Sequence, residues 1–269
     1  MKLAIIGGTG VYDPGILSNV RKVTIETPYG QAGALIGDFG GQEVLFMTRH
    51  GFGHTVPPHM VNYKANIAAL KMMGIERVIA TSAVGSLNTA MPPGSFVFMD
   101  QFIDFAKSEV RTFFDGGEHG VVHVDYSYPY CPDIRARLAN NSQTMGIHAI
   151  NGGCYVCCDG PRYETPAEIR MFRLLGGDIV GMTSVPEVVL AREAGLCYAS
   201  IAMVTNWAAG ISSEPLAHHE VVEIMESNGE RLRKLIMLTF DGLADERRCS
   251  CGNNAPPMPW LEGSENACK

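Results

Sequence analysis

Asn206 stands in Thr205-Asn206-Trp207-Ala208-Ala209-Gly210, just after the apolar run from Cys197 to Val204. Upstream, Tyr163 and Glu164 stand in Gly160-Pro161-Arg162-Tyr163-Glu164-Thr165. These segments supply a side-chain amide, a flat phenol ring and a carboxylate. The amide donates to a ring oxygen, the carboxylate accepts from a protonated ring nitrogen, and the phenol packs on a planar face. Those are the groups needed to read the edge of a 6-oxopurine. An Asp at position 206 would instead suit a 6-amino group, so that one residue bears on which base the chain can bind.

A second set of residues suits an oxyanion. Gly7-Gly8-Thr9-Gly10 follows a strand-like run and offers backbone N–H groups together with the Thr9 hydroxyl. It is not the dinucleotide fingerprint, because G-x-G-x-x-G requires a glycine where this chain has Asp13. An ordinary strand-to-loop turn is the plain alternative. Arg49-His50-Gly51 follows another strand end and adds a guanidinium suited to bidentate phosphate contact. There the alternatives are a surface salt bridge for Arg49 and a hydrogen-bonded loop role for His50. Ser82, Ala83 and Thr183 fall near further strand ends, where open α/β sheets bind ligands.

The elements that must position these groups are read from periodicity. Strand-like segments cover 3–6, 33–39, 43–47, 77–83, 95–100, 148–158, 178–182 and 196–205. Helical spacing covers 58–73, where Met60, Ile67, Leu70 and Met73 recur and Gly74 ends the run, and also 133–145, 166–175, 186–194 and 215–243. Thr165 caps the third of these helices, with Glu168 at capping-box spacing. A polar, aromatic-rich loop spans 105–130. Strands alternating with helices predict an α/β sheet covered on both faces.

A chain of 269 residues with 46% hydrophobic content can bury a sizeable core within one α/β domain. A net charge of -7 argues against a nucleic-acid or anionic-membrane surface, while leaving room for a locally positive pocket. No apolar stretch reaches membrane-spanning length and no signal-like N-terminus is present, so a soluble, cytoplasmic protein is expected. From Asp245 the composition changes, which divides the chain into a domain over 1–244 and a Cys- and Pro-containing tail over 245–269, with Trp260 as an anchor.

The eight cysteines are Cys131, Cys154, Cys157, Cys158, Cys197, Cys249, Cys251 and Cys268. Cys154, Cys157, Cys158 and Cys197 lie in apolar, strand-like segments as small hydrophobes. Cys154-x-x-Cys157 lacks a second pair at zinc-finger spacing, so no metal is expected. Cys249-Ser250-Cys251 reads as two reduced surface thiols. The sequence leaves open whether they ever pair and what Cys268 does.

Long, distributed segments resemble the trimeric purine nucleoside phosphorylase and methylthioadenosine phosphorylase family, from Ile5 to about Leu243. They include Ile5-Ile6-Gly7-Gly8-Thr9-Gly10, Arg49-His50-Gly51, Val61-Asn62-Tyr63-Lys64-Ala65-Asn66, Gln101-Phe102-Ile103-Asp104, Met182-Thr183-Ser184-Val185-Pro186-Glu187 and the run from Glu193 to Met203. The resemblance implies one domain built on a mixed, twisted and partly barrel-like sheet flanked by helices. It further implies phosphate held by Thr9, Arg49, His50, Ser82, Thr183 and the backbone of Ala83. Met182 would lie under the ribose, Tyr163 on the base, and His123 in the site of a neighbouring subunit.

The chain departs from the methylthioadenosine branch at two places. That branch carries Asp-x-Asp where this chain has Asn206-Trp207-Ala208, and it lacks a carboxylate after the aromatic, where this chain has Tyr163-Glu164. Both features resemble the 6-oxopurine enzymes. His218 or His219 begins the last helix near the place where those enzymes hold the 5′-hydroxyl, whereas Val221 and Val222 would equally line a methylthio pocket. The implied activity is phosphorolysis of inosine, guanosine or methylthioinosine, a pentosyl transfer with Asn206, His50 and Glu164 at its centre. It needs no cofactor beyond phosphate as co-substrate. A methylthioadenosine phosphorylase is the alternative within the family; a hydrolytic nucleosidase or a non-catalytic nucleoside-binding protein are alternatives of another class. A homotrimer is expected, with a hexamer left open.

Overall fold

The computed structural model of the chain describes residues 2–8, 17–107, 112–117, 120–212, 218–243, 247–253, 255–258 and 260–261, with backbone alone over 218–222. In chain order the first elements are β1 (Leu3–Gly7), β2 (Ser18–Thr27), β3 (Gly30–Phe39), β4 (Gln42–Thr48), a 3₁₀ turn (Pro58–Met60), α1 (Tyr63–Met72), β5 (Arg77–Ser86), β6 (Phe96–Phe98) and β7 (Gln101–Asp104). Next come α2 (Pro132–Thr144), β8 (Ala149–Asn151), β9 (Cys154–Cys157), α3 (Pro166–Leu174), β10 (Ile179–Gly181), α4 (Ser184–Glu193), β11 (Cys197–Trp207) and α5 (His218–Asp241). No described helix is long and apolar enough to cross a membrane.

Among the described residues eleven strands form one mixed sheet in the order β2-β3-β4-β1-β5-β10-β9-β7, from which β11, β6 and β8 branch. The branch point is β5. Along one edge β5 pairs in parallel with β11 over its whole length. Its other edge is shared: β1 takes Arg77 to Ala80 and β10 takes Gly85 and Ser86. Thr81 to Val84 therefore face a gap between two strands rather than a strand, and that gap becomes the floor of the site.

The strand period of two sorts residues between the two sides of the sheet. Ala4 and Ile6 of β1, Val78 and Ala80 of β5 and Tyr198, Ala202 and Val204 of β11 join the core beneath α1 and α4. Leu3 and Ile5, Ile79, and Cys197, Ala199, Ile201 and Met203 point the other way, against Leu138 of α2 and Leu235 and Phe240 of α5. Both faces are dry, so β1, β5 and β11 read as continuous apolar runs, as strands covered on both sides do.

Three local features differ from the periodicity. β2, absent from the strands read from periodicity, turns only Val23 and Ile25 toward the core; most of it is exposed, and backbone pairing with β3 holds it in place. The expected strand over 148–158 is two strands: Gly152 (φ 130) and Gly153 (φ 151) break it, so that β8 pairs with β6 while β9 pairs with β7 and β10. The expected helix over 58–73 begins only at Tyr63, because the Asn62 side chain accepts from the Ala65 amide and caps α1 there. Met60 is accordingly left exposed. The described part of the tail folds back on the body: Cys251 and Met258 are buried, and Trp260 packs edge-on against Tyr29 and Phe113.

α3 starts at the capping box read from the sequence. Thr165 Oγ1 accepts from the Glu168 amide at 3.2 Å, and Glu168 Oε2 accepts from the Thr165 amide at 2.7 Å. Thr165→Ala should lower the unfolding free energy by about 1 kcal/mol. An unchanged denaturant midpoint would mean that this box does not hold the start of α3.

Candidate active site

Arg49 follows β4 and is buried, which a guanidinium tolerates only beside a counter-charge. Glu187 of α4, fully buried, supplies it through two bonds, Nε to Oε2 and Nη2 to Oε1, each 2.7 Å. Burial alone would lower the arginine pKa, but the Glu187 carboxylate more than offsets this, and the guanidinium stays charged. Nη1 donates to the Thr81 carbonyl at 2.8 Å, and the Tyr198 hydroxyl donates to Glu187 at 2.6 Å. Three of the five guanidinium N–H donors are thus engaged with the described residues, which leaves two for a ligand.

Gly8 shows why that position is glycine. A Cβ there would collide with the Thr81 carbonyl and come within 2.7 Å of Arg49 Nη1. Its amide donates to Thr81 Oγ1 at 3.0 Å, so this N–H serves the fold rather than an anion. Thr9, the candidate oxyanion ligand of that motif, lies outside the described residues.

His50 is buried, and its Nδ1 faces the Val56 carbonyl at 2.9 Å. A carbonyl can only accept, so Nδ1 carries the proton and Nε2 is left as an acceptor. Burial, and then the neighbouring Arg49 charge, pull the His50 pKa down to about 4. At neutral pH the ring is uncharged, a hydrogen-bond acceptor for a ligand hydroxyl and not a second cation.

Ser82 lies on the unpaired stretch of β5, with its Oγ buried and without a hydrogen-bond partner among the described residues. Along a strand, backbone groups alternate between the two edges. The Thr81 carbonyl points to Arg49, so the backbone of Ala83 faces the same edge. Thr183 is the N-cap of α4 and its side chain caps nothing. The Tyr155 hydroxyl accepts from the Thr183 and Ser184 amides at 3.1 and 3.4 Å and fixes this helix end. The positive end of the α4 dipole therefore points at the same floor.

The other end of the cavity is built by β11 and the 160–164 turn. A register shift between Val204 and Asn206 puts Asn206 opposite Gly85. Asn206 Nδ2 donates to the Trp207 carbonyl at 2.9 Å, while Oδ1 accepts from Thr205 Oγ1 at 2.9 Å. Because the Trp207 carbonyl accepts only, the amide orientation is set, and one N–H is left over. Glu164 is raised above the usual carboxylate range, first by burial, and the Cys158 thiol donates to it. Gly160 adopts φ +67, and a Cβ there would strike the Met182 sulfur, so the turn closes directly onto Met182.

A pocket of about 500 Å³ joins the two ends. Arg49, His50, Ser82, Ala83 and Thr183 line one side, and Tyr163, Glu164, Met182, Asn206 and Ala208 the other. Tyr163 is 44% exposed at the mouth. His123 does not line this pocket; it sits exposed on the loop before α2. The side chains of His218, His219 and Val222 lie outside the described residues. Sequence reading gave no role to Glu187, Tyr198, Thr81 or Cys158. For Glu187 there was a signal: a carboxylate set among Val185, Pro186, Val188, Val189 and Leu190 has no solvent to face.

The low His50 pKa has a consequence for stability. An unfolded chain protonates this ring near 6.5, and the folded chain near 4. The unfolded state binds more protons across that window, so stability is fully present above pH 6.5 and is lost as pH falls toward 4. His50→Gln should flatten the decline in unfolding free energy between those values. Equal slopes in the two proteins would show that His50 is not held neutral.

The family model for the phosphorylase superfamily matches residues 2–240. A probable 6-oxopurine nucleoside phosphorylase of Moorella thermoacetica is 59% identical over 93% of this chain and 96% of its own length. A probable S-methyl-5′-thioinosine phosphorylase of Methanothermobacter thermautotrophicus is 47% identical, over 99% of this chain and 96% of its own. Among solved structures, methylthioadenosine phosphorylase from Schistosoma mansoni in complex with adenine superposes with a TM-score of 0.87 at 33% identity, over 92% of this chain and 93% of that one. With a buried Arg49–Glu187 floor, an amide and a carboxylate at the other end of the pocket, and matches of this extent, the chain belongs to the phosphorylase superfamily.

Proposed function

We propose that this chain catalyses the reversible phosphorolysis of 6-oxopurine nucleosides, giving free purine and a pentose 1-phosphate. The observation that carries this reading is that Asn206 and Glu164 share one pocket with Arg49, Ser82 and Thr183. Phosphate is the nucleophile and the sole co-substrate, and no resident cofactor takes part. Thr9, Arg49, Ser82, Thr183 and the Ala83 amide hold it, and neutral His50 accepts from the hydroxyl of hydrogen phosphate. A phosphate oxygen bonds to the anomeric carbon as the N-glycosidic bond breaks through an oxocarbenium-like sugar, and the bond electrons leave with the purine. No covalent enzyme intermediate is required.

The departing base is stabilised by the remaining Asn206 N–H, which donates to O6 or N7 as negative charge builds there. Glu164 accepts from N1–H. Its pKa is raised first by burial, which the Cys158 thiol and Arg162 only partly offset, and a ring N–H is a further donor that favours the carboxylate. Tyr163 packs on the base and Met182 lies under the ribose. Asn206→Ala should lower turnover by about 10²–10³ while leaving phosphate affinity nearly unchanged; an equal loss of both would contradict this division of labour. Asn206→Asp, combined with Ala208→Asp, should move preference toward 6-amino nucleosides, against a starting discrimination of ~10⁴. A preference that does not move would remove Asn206 as the selector.

A second reading concerns the 5′ end of the sugar, where a methylthio group would take the place of the hydroxyl. The thioinosine relative favours it, and the side chains at 218–222 that would decide are outside the described residues. Base release from inosine, guanosine, methylthioinosine and methylthioadenosine, with and without phosphate, separates the readings. Phosphate-dependent release from the oxo nucleosides alone is expected. Preferred cleavage of methylthioadenosine would overturn the base assignment, and release without phosphate would point to hydrolysis. His123, exposed outside its own pocket, is assigned to the pocket of a neighbouring copy, which makes the active species a homotrimer. Light scattering that found an active monomer would refute this.

A further inference from the structure

Cys249 and Cys251 are not the pair of surface thiols that the sequence suggests. The tail carries them back to the start of β11, where they meet Cys197, the first residue of that strand, and Cys131, the N-cap of α2. All four sulfurs lie within 4.8 Å of one another. Cys197 Sγ and Cys249 Sγ stand 3.3 Å apart, and all four are free thiols. Cys131, Cys197 and Cys251 are buried and Cys249 is half-buried.

Cysteines that merely fill space have no reason to turn four sulfurs toward one point. A tetrahedral zinc ion does require it: with Zn–S near 2.3 Å, the sulfurs of a thiolate tetrahedron stand about 3.8 Å apart. The spacings of 3.3 Å and at most 4.8 Å bracket that value. An iron–sulfur cube needs its cysteine sulfurs farther apart than the ligands of a single ion, so it does not fit. Four thiolates around a divalent ion leave a double negative charge, and two positive features lie near it. The N-terminal end of α2 begins at Cys131. The Arg247 guanidinium, two residues before Cys249, lies against Gly252, bonds to the Gly195 carbonyl at 3.2 Å and pairs with Glu76 at 3.5 Å.

We propose that Cys131, Cys197, Cys249 and Cys251 form a structural site for one zinc ion that staples the tail to the sheet. Binding replaces the ion's waters by four thiolates and releases the thiol protons; no electron is transferred, and no oxidant is needed. The site sits at the beginning of β11, whereas Asn206 is nine residues along it, or about 30 Å away at the rise of an extended strand. The ion is therefore structural and takes no part at the pocket. From the cluster the tail runs on to Met258, buried in the main core, and to Trp260 against Tyr29 and Phe113, so holding it holds that corner of the fold.

The full-length chain, produced with zinc and purified under reducing, anoxic conditions, should contain one zinc per chain by elemental analysis. Cobalt(II) added to the metal-stripped, reduced chain should give the visible bands of a tetrahedral thiolate centre, saturating at one equivalent. Cys249→Ser and Cys251→Ser should each lose that equivalent, while Cys154→Ser, outside the cluster, should keep it. The metal-loaded chain should melt several degrees above the stripped one, with its activity well below the melting temperature unchanged. A reduced chain that takes up no cobalt overturns the proposal. So does a chain isolated with two disulfides among these cysteines that still takes up no cobalt after reduction, or uptake that Cys154→Ser also abolishes.

Discussion

The buried Arg49–Glu187 pair is the constraint from which the site follows. Neither ion could remain charged in that interior alone, and removal of one would strand the other, at a cost of about 3–5 kcal/mol. The pair ties together the end of β4, the edge of β5 through the Thr81 carbonyl, α4 through Glu187, and β11 through Tyr198. Gly8 at the end of β1 presses against the same point. The floor of the pocket is thus not an exposed cation waiting for a ligand. It is a nearly neutral, rigid set of donors, to which the N-terminus of α4 adds its partial positive charge. Such pre-placed donors favour the charge distribution of a reaction without having to reorganise during it.

β5 and β11 set the length of the pocket. Ser82 pairs in register with Ala202, and Asn206 lies four residues farther along β11. At the rise of an extended strand, that is about 13 Å, enough to seat a sugar between an oxyanion and the far edge of a purine. The fork in the sheet opens the near end by leaving Thr81 to Val84 without a strand on one side. The register shift after Val204 turns Asn206 inward at the far end. The two irregularities of the central strand pair are therefore the two ends of the proposed site.

β11 serves a second place at its other end. Cys197 begins the strand and belongs to the sulfur cluster; Asn206 nearly ends it and belongs to the pocket. The strand is buried along nearly its whole length between them. The folded-back tail thus meets β11 at the end away from the pocket.

Much of this was legible in the amino-acid order. The apolar runs of β1, β5 and β11, the capping box of Thr165 and Glu168, and the glycine stop at Gly74 are local patterns, and local sterics and hydrogen bonding decide them. The residue types on the pocket wall were legible for the same reason: an amide, a carboxylate and a guanidinium have fixed donor and acceptor sets wherever they stand. What the order of residues did not show was partnership across long separations. Arg49 meets Glu187 over 138 positions, and Cys131 meets Cys249 and Cys251 across most of the second half of the chain. Nor did it show that His50 is neutral, because its charge depends on burial and on Arg49 beside it. The sequence by itself determined the elements and the chemical groups they carry. Tertiary structure alone decided which groups face one another, because burial and juxtaposition belong to the packed sheet and not to any segment of it.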